Sequence, residues 1–212
     1  MLGAKPRKAK TMKMKFAAIA AALLALVSMA PSALAQASSG TISTKGPYAE
    51  ADIYSTDASG IYREIYVYSS TATTKQPGGP PAGSAVTYAY YIISDTNTGA
   101  FDEGFGYING TLTEGKKFSS ASLVASGTLV SFFDGSAHAA DLSLDFTPSG
   151  PAENVSYVEH ISFGTLKFVF KFAGTFVPAS LGGSASLDGV GLDSEFFADF
   201  GSTKSSSLTI SK

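Results

Sequence analysis

The sequence predicts an all-β protein: a single antiparallel β-sandwich of about ten strands behind a cleaved signal peptide, with a small closed β-barrel as the alternative arrangement of the same strands. Three observations carry this. After residue 35 no stretch keeps the spacing of an amphipathic helix. Apolar and polar residues instead alternate by twos, in runs rich in Val, Ile, Thr, Tyr and Phe. Gly, Pro, Asn-Gly and Asp-Gly punctuate those runs at the short intervals typical of sandwiches and barrels.

The leader comes first. Lys5, Arg7, Lys8, Lys10, Lys13 and Lys15 make a basic start, Phe16–Met29 is an apolar run, and Ala33-Leu34-Ala35 places small residues where a signal peptidase reads them. The run is shorter than the ~20 residues of a spanning helix, and Pro31 follows it, so cleavage after Ala35 is expected rather than a membrane anchor. Residues 1–35 are thus read as signal peptide and 36–212 as one all-β domain, secreted to the extracellular or periplasmic space with no transmembrane segment after cleavage.

Removing the leader changes the charge. The chain holds 15 Lys+Arg and 17 Asp+Glu; the leader takes six basic residues and no acidic one, leaving nine against 17 and a net charge of −8. Such a surface repels nucleic acid and anionic lipid, so no nucleic-acid partner is expected. The absence of cysteine excludes disulfides, thiolate nucleophiles and thiolate metal sites, so stability rests on the core.

The strands follow in order. Ala49, Ala51 and Ile53 alternate with Tyr48, Glu50, Asp52 and Tyr54; Ile61, Arg63, Ile65 and Val67 alternate with Tyr62, Glu64, Tyr66 and Tyr68. Residues 71–84 form a Pro/Gly-rich loop whose composition excludes a central strand. Ala85–Ile93 is apolar on both sides and should be covered on both faces. Phe105–Thr113, Ser122–Phe133 and Ala139–Thr147 come next, with Asp134-Gly135 as a two-residue hairpin signal and Asn109-Gly110 and Asp188-Gly189 as similar ones. Ser184–Val190, Glu195–Phe200 and Ser206–Ser211 close the chain. Gly-Thr recurs at Gly40, Gly110, Gly127, Gly164 and Gly174 at unequal gaps, which excludes a solenoid period.

Val155–Phe172 is the most one-sided segment. Leu166, Phe168, Phe170 and Phe172 share a face opposite Lys167, Val169 and Lys171; burying the four contributes roughly 6–12 kcal/mol before entropy is subtracted. If Gly164-Thr165 is a two-residue turn, Phe163 lies opposite Leu166, Ile161 opposite Phe168, and Glu159 opposite Phe170 on the core side. A three-residue turn would reverse the parity. A carboxylate on an aromatic inner face needs a partner or a raised pKa, which makes Glu159 the candidate acid or base.

Other chemistry is thinner. Gly110–Lys117 nearly matches a phosphate-binding loop but lacks its final hydroxyl residue and is flanked by strands, so it reads as a turn. Asp95, Asn97 and Asp102 place oxygen ligands in a loop that resembles the start of a calcium site, although Gly106 stands where the closing glutamate belongs. Ser143, His160 and Asp141 or Asp145 would share an outer face if their strands paired, without the elbow or oxyanion hole of a hydrolase. Tyr62, Tyr66 and Tyr68 would present a row of rings suited to sugar or protein contact.

These features predict an exported, non-catalytic β-domain acting in extracellular or periplasmic binding or surface structure, through carbohydrate or protein contact. The alternative is a small β-barrel enzyme or apolar-ligand binder using Glu159 in an aromatic-lined interior.

Overall fold

The computed structural model describes residues 40–71, 73–75, 85–163 and 166–211; the side chains of 40–44, 73–75, 157, 159, 161–163, 166–168, 170 and 205–211 are outside the description. The leader and most of the 71–84 loop fall outside it too. The described residues form twelve strands: β1 (Gly40–Thr56), β2 (Ile61–Ser70), β3 (Thr73–Lys75), β4 (Val86–Asp95), β5 (Phe101–Tyr107), β6 (Asn109–Glu114), β7 (Ala121–Ser131), β8 (Ala137–Pro148), β9 (Glu153–Phe163), β10 (Leu166–Leu187), β11 (Val190–Leu192) and β12 (Ser194–Ser211). One short 3₁₀ turn, Lys116–Phe118, joins β6 to β7. The all-β expectation is met, and all twelve strands belong to one antiparallel sheet.

Pairing passes from β1 to β2, β4, β5, β7, β8, β10 and β12, and β12 pairs again with β1. The ladder is therefore a closed circuit, an arrangement shared by barrels and by sandwiches joined at both edges. Its narrowest link is between β5 and β7, where only Gly104–Ser131 and Phe105–Val130 pair. A Cβ on Gly104 would lie 2.2 Å from the Val130 carbonyl oxygen, so glycine is what lets these backbones approach. Beyond this link the chain changes partner. The Ile108 N–H still bonds the Thr87 carbonyl of β4, and from Asn109 onward β6 pairs with β7.

The core lies inside the circuit. Ala49, Ala51 and Ile53 of β1 meet Ile65 and Val67 of β2, Leu123 and Leu129 of β7, Leu142, Leu144 and Phe146 of β8, Val177 and Leu187 of β10, and Phe200 of β12. Phe146 and Phe200 pack edge to face at 6.3 Å. The alternation seen in the sequence thus places the small and aliphatic residues of β1 and β2 inward. Of the both-sided run Ala85–Ile93, Val86, Thr87, Tyr88, Ala89 and Tyr91 are buried, whereas Tyr90, Ile92 and Ile93 are half-buried and Ala85 is exposed.

Turns follow their chemistry with two differences. Asp188-Gly189 is a two-residue hairpin with positive φ at both positions, 54° and 75°, as a type I′ turn requires. Asp134-Gly135 instead ends a longer turn, because Val130 pairs with Ala137 and the Ser131 N–H bonds the Ser136 carbonyl. Asn109-Gly110 is not a turn but the start of β6, pairing with Ser126 and Ala125.

β10 is the spine. Its first half pairs with β9 on one edge and β12 on the other; its second half pairs with β8 and β11. β8 and β9 thus lie end to end along one edge of β10. The β9–β10 register is the one a two-residue turn dictates: Phe163 opposite Leu166, Ile161 opposite Phe168, Glu159 opposite Phe170.

Candidate functional site

Four places need weighing, beginning with the tyrosine face of β1, β2 and β4. The predicted row does not stand in solvent. Tyr66 is 3% exposed and its hydroxyl donates to Glu50 Oε2 at 2.6 Å. Tyr68 is half-buried and stacks on Tyr88 at 5.2 Å and on Tyr48 at 6.1 Å. Tyr62 is half-buried and donates to Glu64. Successive outward residues on neighbouring strands meet as cross-strand pairs, so the rings cover one another. Burial pushes the hydroxyls of Tyr48, Tyr66 and Tyr88 well above the usual tyrosine range, which keeps them as donors.

Those donors meet carboxylates. Glu50 and Asp52 are neighbours on the same face of β1, and Asp199 of β12 sits directly opposite Glu50. All three are buried. Burial, followed by the charge of Glu64, its hydrogen bond and the charge of Glu50, raises the Asp52 carboxyl from 3.8 to about 8. Its Oδ1 is buried with no hydrogen-bond partner among the described residues. With few cations in the chain, tyrosine takes the role that Lys or Arg would otherwise fill.

Glu159 holds the expected register opposite Phe170, and its side chain lies outside the described residues. Its neighbours Val158 and His160 are exposed, as the predicted outer face requires. The Ser143–His160 arrangement is corrected by topology. Ser143 is opposite Ser184 and His160 opposite Val169, roughly 50 Å of extended chain apart on β10. Strands adjacent in sequence were expected to pair, but β8 and β9 share an edge of β10 instead.

The calcium candidates do not converge. Both carboxylate oxygens of Asp95 serve its own turn, accepting from the Asn97 N–H at 2.8 Å and the Thr98 hydroxyl at 2.7 Å, and these bonds hold its pKa below the usual range. The Asn97 amide donates to the Ser59 carbonyl at 2.7 Å. Asp102 points elsewhere, accepting from Tyr91 at 2.7 Å and Ser131 at 2.6 Å.

Asp102 is part of a cluster that the sequence reading missed. His138 Nε2 lies 3.1 Å from Asp102 Oδ2, and Nδ1 lies 2.7 Å from Asp188 Oδ2. The other Asp188 oxygen accepts the Ala139 N–H at 2.8 Å, and the Tyr91 ring packs on the imidazole at 4.6 Å. These contacts join β5, β8 and the β10–β11 turn. Ser136 Oγ is 3.2 Å from Nε2, completing a serine–histidine–aspartate sequence. A serine nucleophile needs that nitrogen to take its proton, yet Asp102 occupies it. The arrangement acts as a clasp between strand ends. Its sequence signal was slight: one of two histidines, and an Asp-Gly turn 50 residues away.

The fourth place is a groove of about 270 Å³ between β10 and the start of β12. Ile53, Leu144 and Leu192 give it an apolar floor, Gly182, Gly183 and Ser184 a bare wall, and Asp193 and Glu195 an acidic side. The Leu181 N–H donates to Glu195 Oε2 at 2.8 Å. Phe196, 56% exposed, stacks on Tyr54 at 4.1 Å, and Tyr54 in turn meets Tyr62 at 6.0 Å. The sequence did not bring these residues together as a groove, because its walls come from stretches far apart in the chain. Among the described residues no helix is long and apolar enough to cross a membrane. No protein-family model, curated protein or solved structure matches this chain.

Proposed function

We propose that this protein is an exported, non-catalytic β-domain that works by binding, with the groove between β10 and β12 as its contact. One observation carries the reading: at the groove the ladder stops between Pro178–Asp199 and Ala185–Leu192, leaving backbone edge, apolar floor and carboxylates together in one open concavity. The tyrosine row, turned largely into its own packing, contributes through Tyr62 and Tyr54 beside Phe196 rather than as a free platform. The clasp at His138 supports a structural role, since each ring nitrogen faces a carboxylate. Export rests on the leader alone.

The test is a glycan and peptide array probed with the full chain, followed by hydrogen exchange on the best binder. Slower exchange in residues 179–184 or 193–198 is expected. Turnover of a bound compound that Glu159→Gln abolishes would replace this reading with the enzymatic one.

A further inference from the structure

We propose that the outer edge of β9 is a homodimer interface: two copies of this chain join their β9 strands antiparallel about a two-fold axis at Val158, merging two sheets into one. The inference is independent of the groove and begins with the edges. Among the described residues four strands have a single ladder partner: β3 and β11 of three residues, β6 of six and β9 of eleven. β8 and β9 follow one another along β10. The far side of β8 is closed by β7, whose ladder starts only at Ala121 opposite Phe146, after the Lys116–Phe118 turn. β7 therefore does not reach β9, which is bonded to β10 on one edge and open on the other.

Sheets usually blunt such an edge by shortness, a bulge, proline or lysine. β9 uses none of these. Its eleven pairs with β10 run without a register shift, and Glu153–Phe163 contains no Pro, Lys or Arg. The segment 76–84 of the same chain does not suit this edge. It follows β3, which pairs with β1 on the far side of β12 and β10, and it carries Pro77, Pro80 and Pro81, which lack the N–H that a ladder needs.

Backbone parity says which groups the edge presents. Phe163 and Leu166 pair across two residues, so theirs is a hydrogen-bonded pair, and hydrogen-bonded and free pairs alternate from there. The odd-numbered residues of β9 therefore bond β10, while Asn154, Ser156, Val158, His160 and Ser162 turn N–H and C=O to the open edge.

The sequence of β9 is complementary to itself. Val158 is the midpoint of the strand, and antiparallel pairing about it overlaps the whole length. Val158 then faces its own copy, Ser156 faces His160, and Asn154 faces Ser162, all from the open-edge set. That gives about ten main-chain hydrogen bonds, as many as an ordinary protein interface carries. Each charged residue meets an uncharged one: Glu153 faces Phe163, and Glu159 faces Tyr157. A midpoint at Ser156 would set Glu153 against Glu159, and a midpoint at Glu159 or His160 would set that residue against its own copy. A midpoint at Tyr157 would leave Ser162 and Phe163 unpaired. At Val158, 55% exposed in the single chain, two apolar side chains meet on the axis. Each copy offers one such edge, so the pairing closes at two copies.

The test follows the chain from Gln36 onward by sedimentation velocity and amide exchange at concentrations up to ~100 µM. Expected are a monomer–dimer equilibrium and, in the dimer, slower exchange at the amides of residues 154, 156, 158, 160 and 162, with their odd-numbered neighbours unchanged. Val158→Lys puts like charges on the axis and should weaken the dimer at least about tenfold at an unchanged melting temperature. The chain has no cysteine, so a single introduced thiol can bridge only to a second copy. Facing residues of a hydrogen-bonded pair lie ~5.5 Å apart at Cα, within disulfide reach, so Val158→Cys should give a covalent dimer under diamide. Asn154→Cys should not, because its copy lies roughly 27 Å away along the strand. A wild-type chain that stays monomeric, dimerisation undiminished in Val158→Lys, or equal cross-linking of the two Cys variants would overturn the proposal. So would assemblies that keep growing beyond two copies.

Discussion

Burial on the tyrosine face keeps a proton on Asp52 up to about pH 8. In the unfolded chain the same carboxyl ionises near its usual 3.8, so between these values the folded state holds the extra proton. The contribution of Asp52 to stability therefore falls as pH rises from about 4 to about 8 and is constant on either side. We expect a loss on the order of 2–4 kcal/mol across that window, read as a falling melting temperature, and Asp52→Asn should flatten the profile. Asp57, Asp95 and Asp134, held below the usual range by turn hydrogen bonds, act with the opposite sign, and only under more acid conditions. The clasp makes a second prediction. His138→Ala should cost about 1 kcal/mol in urea unfolding, whereas Ser136→Ala should stay within about 0.5 kcal/mol. The alternation of Tyr62, Tyr66 and Tyr68 was legible in the sequence. Their burial was not, because Tyr88 and Tyr48, which stack on Tyr68, come from other strands.

At the scale of elements, glycine geometry separates two neighbouring positions on β10. Gly183→Ala combines positive φ with a 2.0 Å approach to the Ser143 carbonyl and should destabilise by about 2–4 kcal/mol. Gly182→Ala meets nothing closer than the Asp145 Cβ at 3.8 Å and should be neutral within about 0.5 kcal/mol. Chemical denaturation of the two variants side by side checks both. The β9–β10 register was readable as one of two, because turn length fixes parity over a whole hairpin, and the structure holds the one a two-residue turn dictates. The neighbours of β8 were not readable. Pro148–Asn154 looks like a hairpin loop, but the chain across it continues along the same edge of β10.

For the whole molecule, a prediction belongs to the leader. Expressed with its own N-terminus in a secreting host, the protein should appear outside the cytoplasm with Gln36 as its first residue, as intact-mass measurement would show. An uncleaved, cell-retained product would remove export from the proposed function. The sequence by itself determined the all-β class, the strand faces of β1 and β2 and the acidic balance, and narrowed the β9–β10 hairpin to two registers. Each follows from side-chain period, turn chemistry or counting, which are local. Only the tertiary structure decided that the ladder closes from β12 back to β1, that Asp102, His138 and Asp188 meet, and that β10 and β12 part between two in-register ends. These depend on which distant strands share an edge. That choice is made by the packing of Phe146, Phe200, Leu123 and Leu187 within one core, a sum over residues no single stretch contains.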